Sequence, residues 1–549
     1  MAEQRHFPFV IANDILVGKG PIDYEEPIIN IAKLILNNLK SQPNFVAQVD
    51  ATTGREITFQ EIRNTTVKLA LWMKSIDIST GDKIGISSEH YAILYVFIAC
   101  LYIGAVPVLW HEKYDSDKAY TIASEVCGKL LFIDDVFAIA NYDKLTQKRS
   151  KVIVFGTLEG FMSYNILKLK IDSRYNQKMV DGFICIEVDE YEDTAAVLYT
   201  RRTRLKKSVK IPHRYFNAPM SKQVFDTFPG KVGMWVGSFS LSINMLLAVY
   251  SILWPKRMIR FMGYTKEKVC QAIAKHKVDW VLLETQMCIE IANSDMLQKY
   301  DFSCLKRIIY SGAEIPYYNY TDLTLSLPNT IIVALYYTIE TGIISYQSTN
   351  NKIKSSGHIG KNVMLKIIDI DTYDPVGPNV CGEICCYCVS MARTYIYNKT
   401  DHSLFSRDGW LHTNDTGYYD EDGEIFVMSR KIDFIMFRDY LYSPAIIENF
   451  ISRYSTVDKV AVLGIMNAQG TKHPTAYILT KPEQHIDATA VFAEMDAKLD
   501  DHMKLRGGMK LLNEMPYALD GTIDRLALCN EEYREHPFTH TTIPYTDMQ

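Results

Sequence analysis

Between Tyr91 and Trp110 the chain runs for twenty residues without a charge. About twenty apolar residues are enough to span a bilayer as a helix, so the run demands either a membrane or a deeply buried element. Gly104 and Pro107 interrupt it, and Glu89-His90 and His111-Glu112-Lys113 flank it. A buried helix ending near Gly104, followed by a core strand over Val106–Leu109, accounts for the same residues. The sequence therefore reads as a soluble protein without a transmembrane segment.

The neighbouring signals extend that pattern. Thr58-x-x-Glu61 is a capping-box signature, and Ile62, Thr66, Leu69, Ala70 and Met73 follow at helical spacing. After the turn Ser79-Thr80-Gly81-Asp82 come short apolar runs at 83–86, 129–133, 151–155 and 195–199. Strands separated by helices of this length predict parallel βαβ units with both sheet faces covered, an α/β fold. The stretch from Gly357 to Arg393 changes to short strands, such as 364–368 and 382–388, and reads as a small β subdomain. Beyond Ser429-Arg430-Lys431 a small α+β domain is expected: helix 444–454, strands 460–465 and 475–480, and helix 487–503. The expected organisation is a body over 1–428, a hinge at 429–431 and a mobile carboxy-terminal domain over 432–549.

Composition excludes several classes. A chain of 549 residues with 59 basic and 64 acidic side chains, net −5, has no overall field to attract nucleic acid. Eleven scattered cysteines predict reduced thiols in an intracellular, cytoplasmic setting. Cys381, Cys385, Cys386 and Cys388 invite a metal reading. Their apolar neighbours favour a buried strand instead, which sends alternate side chains to opposite faces. The last residues, Asp547-Met548-Gln549, are not a peroxisomal S-K-L-type address. Glycine is scarce: 28 residues, about 5%, where about 7% is usual.

The run Asp408-Gly409-Trp410-Leu411-His412-Thr413-Asn414-Asp415 resembles the D-G-W-L-H-T-G-D motif of the adenylate-forming superfamily of acyl-CoA synthetases, 4-coumarate–CoA ligases and firefly luciferase. Further segments resemble it in the same order. Ile211-Pro212-His213-Arg214 follows the phosphate-loop position, and Ser311-Gly312-Ala313-Glu314 resembles the adenine wall. Tyr336 and Glu340-Thr341 match Y-G-x-T-E-T, while Gly357 to Gly360 and Gly382-Glu383 match the next strands. Arg430 falls at the hinge, Ser443-Pro444-Ala445 at a helix start, and Leu505-Arg506-Gly507-Gly508 at K-L-R-G-G. The resemblance implies a two-domain enzyme that activates a carboxylic acid with ATP and Mg, releases pyrophosphate and then rotates its small domain to present CoA. Peroxisomal residence is common in that group.

Against the family pattern, the phosphate loop is altered. Its three glycines correspond to Arg201, Arg204 and Ser208, while Thr203 and Lys207 remain. Glycine serves such loops because the backbone must approach phosphate closely, often at positive φ. Six cations lie between Arg201 and Lys210, enough to attract an anion through side chains alone. Thr522 stands at the position of the family's catalytic lysine, so no catalytic residue is assigned; compensation by Arg525 would need that side chain to swing in. Phe239-Ser240-Leu241-Ser242 replaces the gating-histidine segment. Tyr337 and Ile339 replace a glycine and a phosphate-binding threonine, and Asp439 replaces a glycine that turns toward CoA.

By the resemblance, Asp415 accepts the ribose hydroxyls, Tyr336 stacks on adenine, Gly312 and Ala313 wall the base, and Arg430 secures hinge and ribose. Thr203 and Lys207 meet phosphate, and Glu340 holds Mg. Each also has a plainer reading: Asp415 as a turn cap, Glu340 as a lysine partner, Tyr336 as core. Three functions stay open. The first is a catalytically degenerate member that binds an acyl ligand or nucleotide, or pairs with a protein partner. The second is an active acid–CoA ligase with a divergent loop. The third, weakest, is binding of RNA or an acidic partner through residues 201–210.

Overall fold

The fold is taken from a computed structural model that describes residues 9–18, 30–111, 120–122, 129–146, 150–199, 208–217, 228–261, 263–312, 314–315, 317–347, 352–370, 372–392, 394–395, 404–430, 435–437, 440–442, 444–466, 472–517, 523–529 and 539–544. The charge-free run becomes a helix, Ile93–Ile103, in which every residue is buried. Gly104 closes it in the left-handed conformation (φ 67°), donating its N–H to the carbonyls of Cys100 and Leu101. Strand Val106–Leu109 follows, fully buried. No described helix is long and apolar enough to cross a membrane.

Contacts divide the chain into two compact units, one of 1–366, 385–411 and 420–425, the other of 367–384, 412–419 and 426–549. The first contains two large mixed sheets. In one, strands Thr194–Tyr199, Val106–Leu109, Lys83–Ser87, Leu130–Asp134, Lys151–Phe155 and Met162–Ser163 run parallel in that spatial order. Strand Ser208–Pro212 then returns antiparallel to Thr194–Tyr199, with Tyr199 opposite Ser208. Residues 200–207 connect the two strands.

The other sheet sets the site. Ile331–Thr338, Arg307–Ser311, Trp280–Glu284, Val232–Trp235, Arg257–Arg260 and Val46–Asp50 lie parallel in that order. Antiparallel strands finish both edges, Gly342–Tyr346 and His358–Ile359 at one and Glu56–Thr58 at the other. One face packs Met234, Ile259, Val281, Leu283, Ile308 and Tyr310 with helix residues such as Val269 and Ile273. Helices join the strands as expected. Phe59–Ser75 starts at Thr58, whose hydroxyl accepts from the Glu61 N–H.

In the second unit, Gly382 sits so close to the Ile368 carbonyl that a Cβ would lie 2.1 Å from its oxygen. A four-stranded sheet, Val457–Met466, Lys472–Thr480, Met509–Leu512 and Thr539–Ile543, carries a core of Val462, Ala476, Ile478, Phe492 and Met509. Two expectations are corrected here. The helix from Ala488 stops at Lys498, because Leu499 turns extended and a separate short turn covers Asp501–Met503. The helix expected over 444–454 is the shorter Ala445–Ile451. The strand Gly382–Cys388 is buried, as its apolar pattern predicts.

Candidate active site

In open α/β sheets, ligands bind where loops leave the carboxyl ends of parallel strands. Four such loops lie side by side in the first unit. After Val232–Trp235 the chain turns at Gly237 (φ 109°), where a Cβ would lie 3.3 Å from Asn244 Nδ2 and Glu284 Oε1. Ser238 and Ser240 then bond through their hydroxyls at 2.9 Å, just before the helix Ser242–Leu253. Ser240 falls in the stretch 239–242, where the family resemblance expects the gating histidine, and that stretch holds no histidine.

After Trp280–Glu284, the Thr285 hydroxyl donates to the Ser311 carbonyl at 3.3 Å. Gly312 (φ 110°) follows directly, and among the described residues a Cβ placed on it would meet only Thr285 Oγ1, at 3.7 Å. Glu314, two residues on, pairs with Lys354 at 3.3 Å. Burial pushes the Glu314 carboxyl up, and the Lys354 charge opposes that shift.

The fourth loop is the hairpin tip between Ile331–Thr338 and Gly342–Tyr346. The register shifts between Tyr336 and Tyr337, leaving Ile344 of the partner strand as the extra residue, and Tyr337 is not in a left-handed conformation. Tyr336 is buried and Glu340 is partly exposed. Thr338 and Thr341 bond through their hydroxyls at 2.8 Å, and the Thr341 N–H donates to Thr338 Oγ1 at 3.2 Å. The Ala392 N–H donates to the Glu340 carbonyl at 2.7 Å. The sequence reading left Thr338 without a role, although Thr-x-x-Thr is the spacing of a side-chain-closed turn. Beneath the tip, Tyr215 is fully buried, its ring 3.5 Å from where a Gly342 Cβ would stand. Burial drives its phenol pKa far up, and the Glu340 charge adds to the effect.

Glu340 suits a hard cation by its oxygen chemistry. Among the described residues no three His, Cys, Asp or Glu side chains converge to hold a metal ion. A magnesium ion at Glu340 would thus depend on oxygens brought by a ligand, the usual situation for Mg with phosphates. At the phosphate loop, Thr203 and Lys207 lie outside the described residues, as do Arg201, Arg204, Ala313, Asp439 and Thr522. Ser208, at the loop's mouth, is fully buried, and its Oγ has no partner among the described residues. A side chain therefore sits inside the protein where the family pattern has glycine.

The second unit carries the remaining positions. Asn414 has φ 57°, a left-handed geometry that glycine adopts freely, within strand Leu411–Tyr419, and Thr413 Oγ1 accepts from the Asp415 N–H at 3.1 Å. Thr413 itself donates to the Ile384 carbonyl at 2.8 Å, and Asp415 is buried. His412 Nδ1 lies 3.3 Å from the buried Glu383 carboxylate. Arg430 closes the strand Ile425–Arg430. Near the Thr522 position, a bridge pairs Tyr517 with Ile523. Arg525 is held in place: its guanidinium pairs with Glu448 at 2.7 Å and donates to the Val462 carbonyl at 3.0 Å.

The AMP-binding enzyme family model matches residues 36–396, well over half of the chain. This chain belongs to the AMP-binding enzyme family. It is similar to a luciferin 4-monooxygenase of Luciola mingrelica, 23% identical over 494 residues that cover 87% of this chain and 90% of the relative. A 4-coumarate–CoA ligase-like protein of Arabidopsis thaliana is 23% identical over 532 residues, 91% of this chain and 94% of that one. Among solved structures, ATP-bound MatB from Rhodopseudomonas palustris superposes with TM-score 0.82 at 17% identity, covering 92% of this chain and 99% of MatB. The luciferase-like enzyme of the nonluminescent Zophobas morio mealworm superposes with TM-score 0.68 at 21% identity, over 76% of this chain and 99% of its own. These superpositions show that the chain shares the fold of those structures.

Proposed function

We propose that this AMP-binding family member has largely lost acid adenylation and works by binding a nucleotide or acyl ligand, or a protein partner. The tethering of Arg525 carries the reading. Adenylation develops negative charge at the α-phosphate, and a positioned cation there is commonly worth several kcal/mol, about a hundredfold or more in rate. Thr522 supplies no charge, and Arg525 is already committed to Glu448 and the Val462 carbonyl. The buried Ser208 hydroxyl and the Arg201 and Arg204 replacements point the same way. In this reading Tyr336, Gly312, Ala313, Asp415 and Arg430 serve the nucleoside, Thr203 and Lys207 the phosphates, and Glu340 a magnesium ion. The hinge is placed at 429–431. ATP–pyrophosphate exchange against a panel of fatty and aromatic acids is expected to stay at the level of heat-killed protein. Turnover with any acid above that level would sink the proposal.

A second reading, an active acid–CoA ligase, is favoured by the cations between Arg201 and Lys210 and by the hydroxyls of Thr338 and Thr341 at the hairpin tip. Calorimetry with ATP-Mg tests this active reading. The active reading requires heat of binding that Arg204→Gly with Thr522→Lys changes, and a flat titration at millimolar nucleotide removes it.

A further inference from the structure

The same carboxyl edge carries a buried cation that no carboxylate answers among the described residues. Arg260 ends the strand Arg257–Arg260 and is only 9% exposed. Its guanidinium lies over the indole of Trp235, with Cζ 4.3 Å from the ring centroid. Trp235 ends the adjacent parallel strand, so the two side chains leave the sheet on one face. Arg260 Nη1 and Trp235 Nε1 are both buried, and neither meets an acceptor among the described residues. Asp50 stands opposite Arg260 in the next strand, yet its Oδ1 accepts from the N–H groups of Thr52 and Thr53 and the Thr53 hydroxyl. Gln48, on the same face, accepts from the Tyr95 hydroxyl at 3.2 Å.

An arginine side chain stays protonated in a protein, so burial cannot neutralise it as it can a lysine. Buried charges are ordinarily paired, and a cation–π contact offsets only part of the desolvation. What remains is the buried Nη1 donor of a guanidinium and one indole N–H on the loop edge of a parallel sheet. That donor set matches two oxygens of one anion. We propose that Arg260 and Trp235 form a binding site for a small oxyanion, the carboxylate or phosphate group of a ligand. It lies four strands along the edge from the Tyr336–Thr341 hairpin, about 19 Å at the usual strand spacing. It does not depend on adenylation or on nucleotide binding.

Indole fluorescence of the full-length protein tests this, with Trp235→Phe identifying the Trp235 share of the signal from six tryptophans. Potassium phosphate and sodium acetate are titrated separately against chloride at matched ionic strength. A saturable change in one arm is expected, and the arm that responds distinguishes phosphate from carboxylate. Arg260→Met is expected to weaken it at least about tenfold, the loss typical of a charge-assisted contact. Arg260→Lys, which keeps the charge but not the fork, is expected to fall between the two and carries the test if the methionine variant does not fold. No saturable change in either arm, or variants that titrate like the wild type, would overturn the proposal.

Discussion

Single residues record how the chain departs from its family without unfolding. Asn414 keeps the left-handed backbone of the glycine it replaces, and asparagine is among the few side chains that tolerate that geometry. Asn414→Val is expected to lower stability by about 1–2 kcal/mol while Asn414→Gly holds it, measured as urea midpoints. Where a Cβ cannot fit at all, glycine survives. At Gly357 it would stand 1.9 Å from the Tyr346 carbonyl oxygen. Replacement at Asn414 was visible in the sequence, but its meaning was not. Only the backbone angle tells that the substitution sits in a left-handed conformation. Arg525 shows the opposite limit. Its number alone left it free to stand in for a missing lysine, and its two partners come from segments some sixty to eighty positions away.

At the scale of elements, polarity and capping residues placed most strands and helices within a few residues. The twenty-residue apolar run resolved into helix and strand at Gly104 because glycine alone closes a helix in the left-handed conformation at no cost. Pattern reading overran at Asp487–Met503, where apolar residues continue at helical spacing past Lys498 although the backbone has already turned extended. The Arg260 site escaped altogether, since one arginine ending an apolar strand has no sequence signature until the neighbouring strand is known. In the second unit, Arg525 pins the helix Arg525–Cys529 to Glu448 and to the strand Val457–Met466. Arg525→Met leaves a half-buried carboxylate without its cation and is expected to cost about 2 kcal/mol, read from denaturant unfolding. The Glu448→Gln partner variant should lose less, because its side-chain oxygen can still accept from the Val462 N–H.

Across the whole molecule, stability is expected to depend on pH through groups far from one another. Burial pushes His90 and His213 down to about 4, from an ordinary value near 6.5. The unfolded chain takes up those protons first, so the stability they confer is complete above about pH 6.5 and drains away as the pH falls toward 4. Asp134, raised to about 6 by burial, acts in the opposite sense, its contribution present below about pH 4 and lost as the pH rises through 6. Two histidines outweigh one aspartate, each group being worth on the order of 2 kcal/mol. The melting temperature should therefore fall between pH 7 and pH 4.5, and His213→Gln should flatten that slope. An unchanged slope would remove His213 from the account. The family-wide architecture was legible because ordered motifs recur along the chain, whereas these titrations depend on which side chains the packing encloses.

The turn closed by Thr338 and Thr341 has a consequence for inheritance. Its shape is held by bonds between its own residues, by a backbone bond from Ala392 and by the Cys388 thiol on the Thr341 carbonyl, none of which needs a ligand. A lineage could thus exchange the side chains at 337 and 339 while the hairpin continued to fold, so selection on foldability alone leaves any ligand contact at those two positions unguarded.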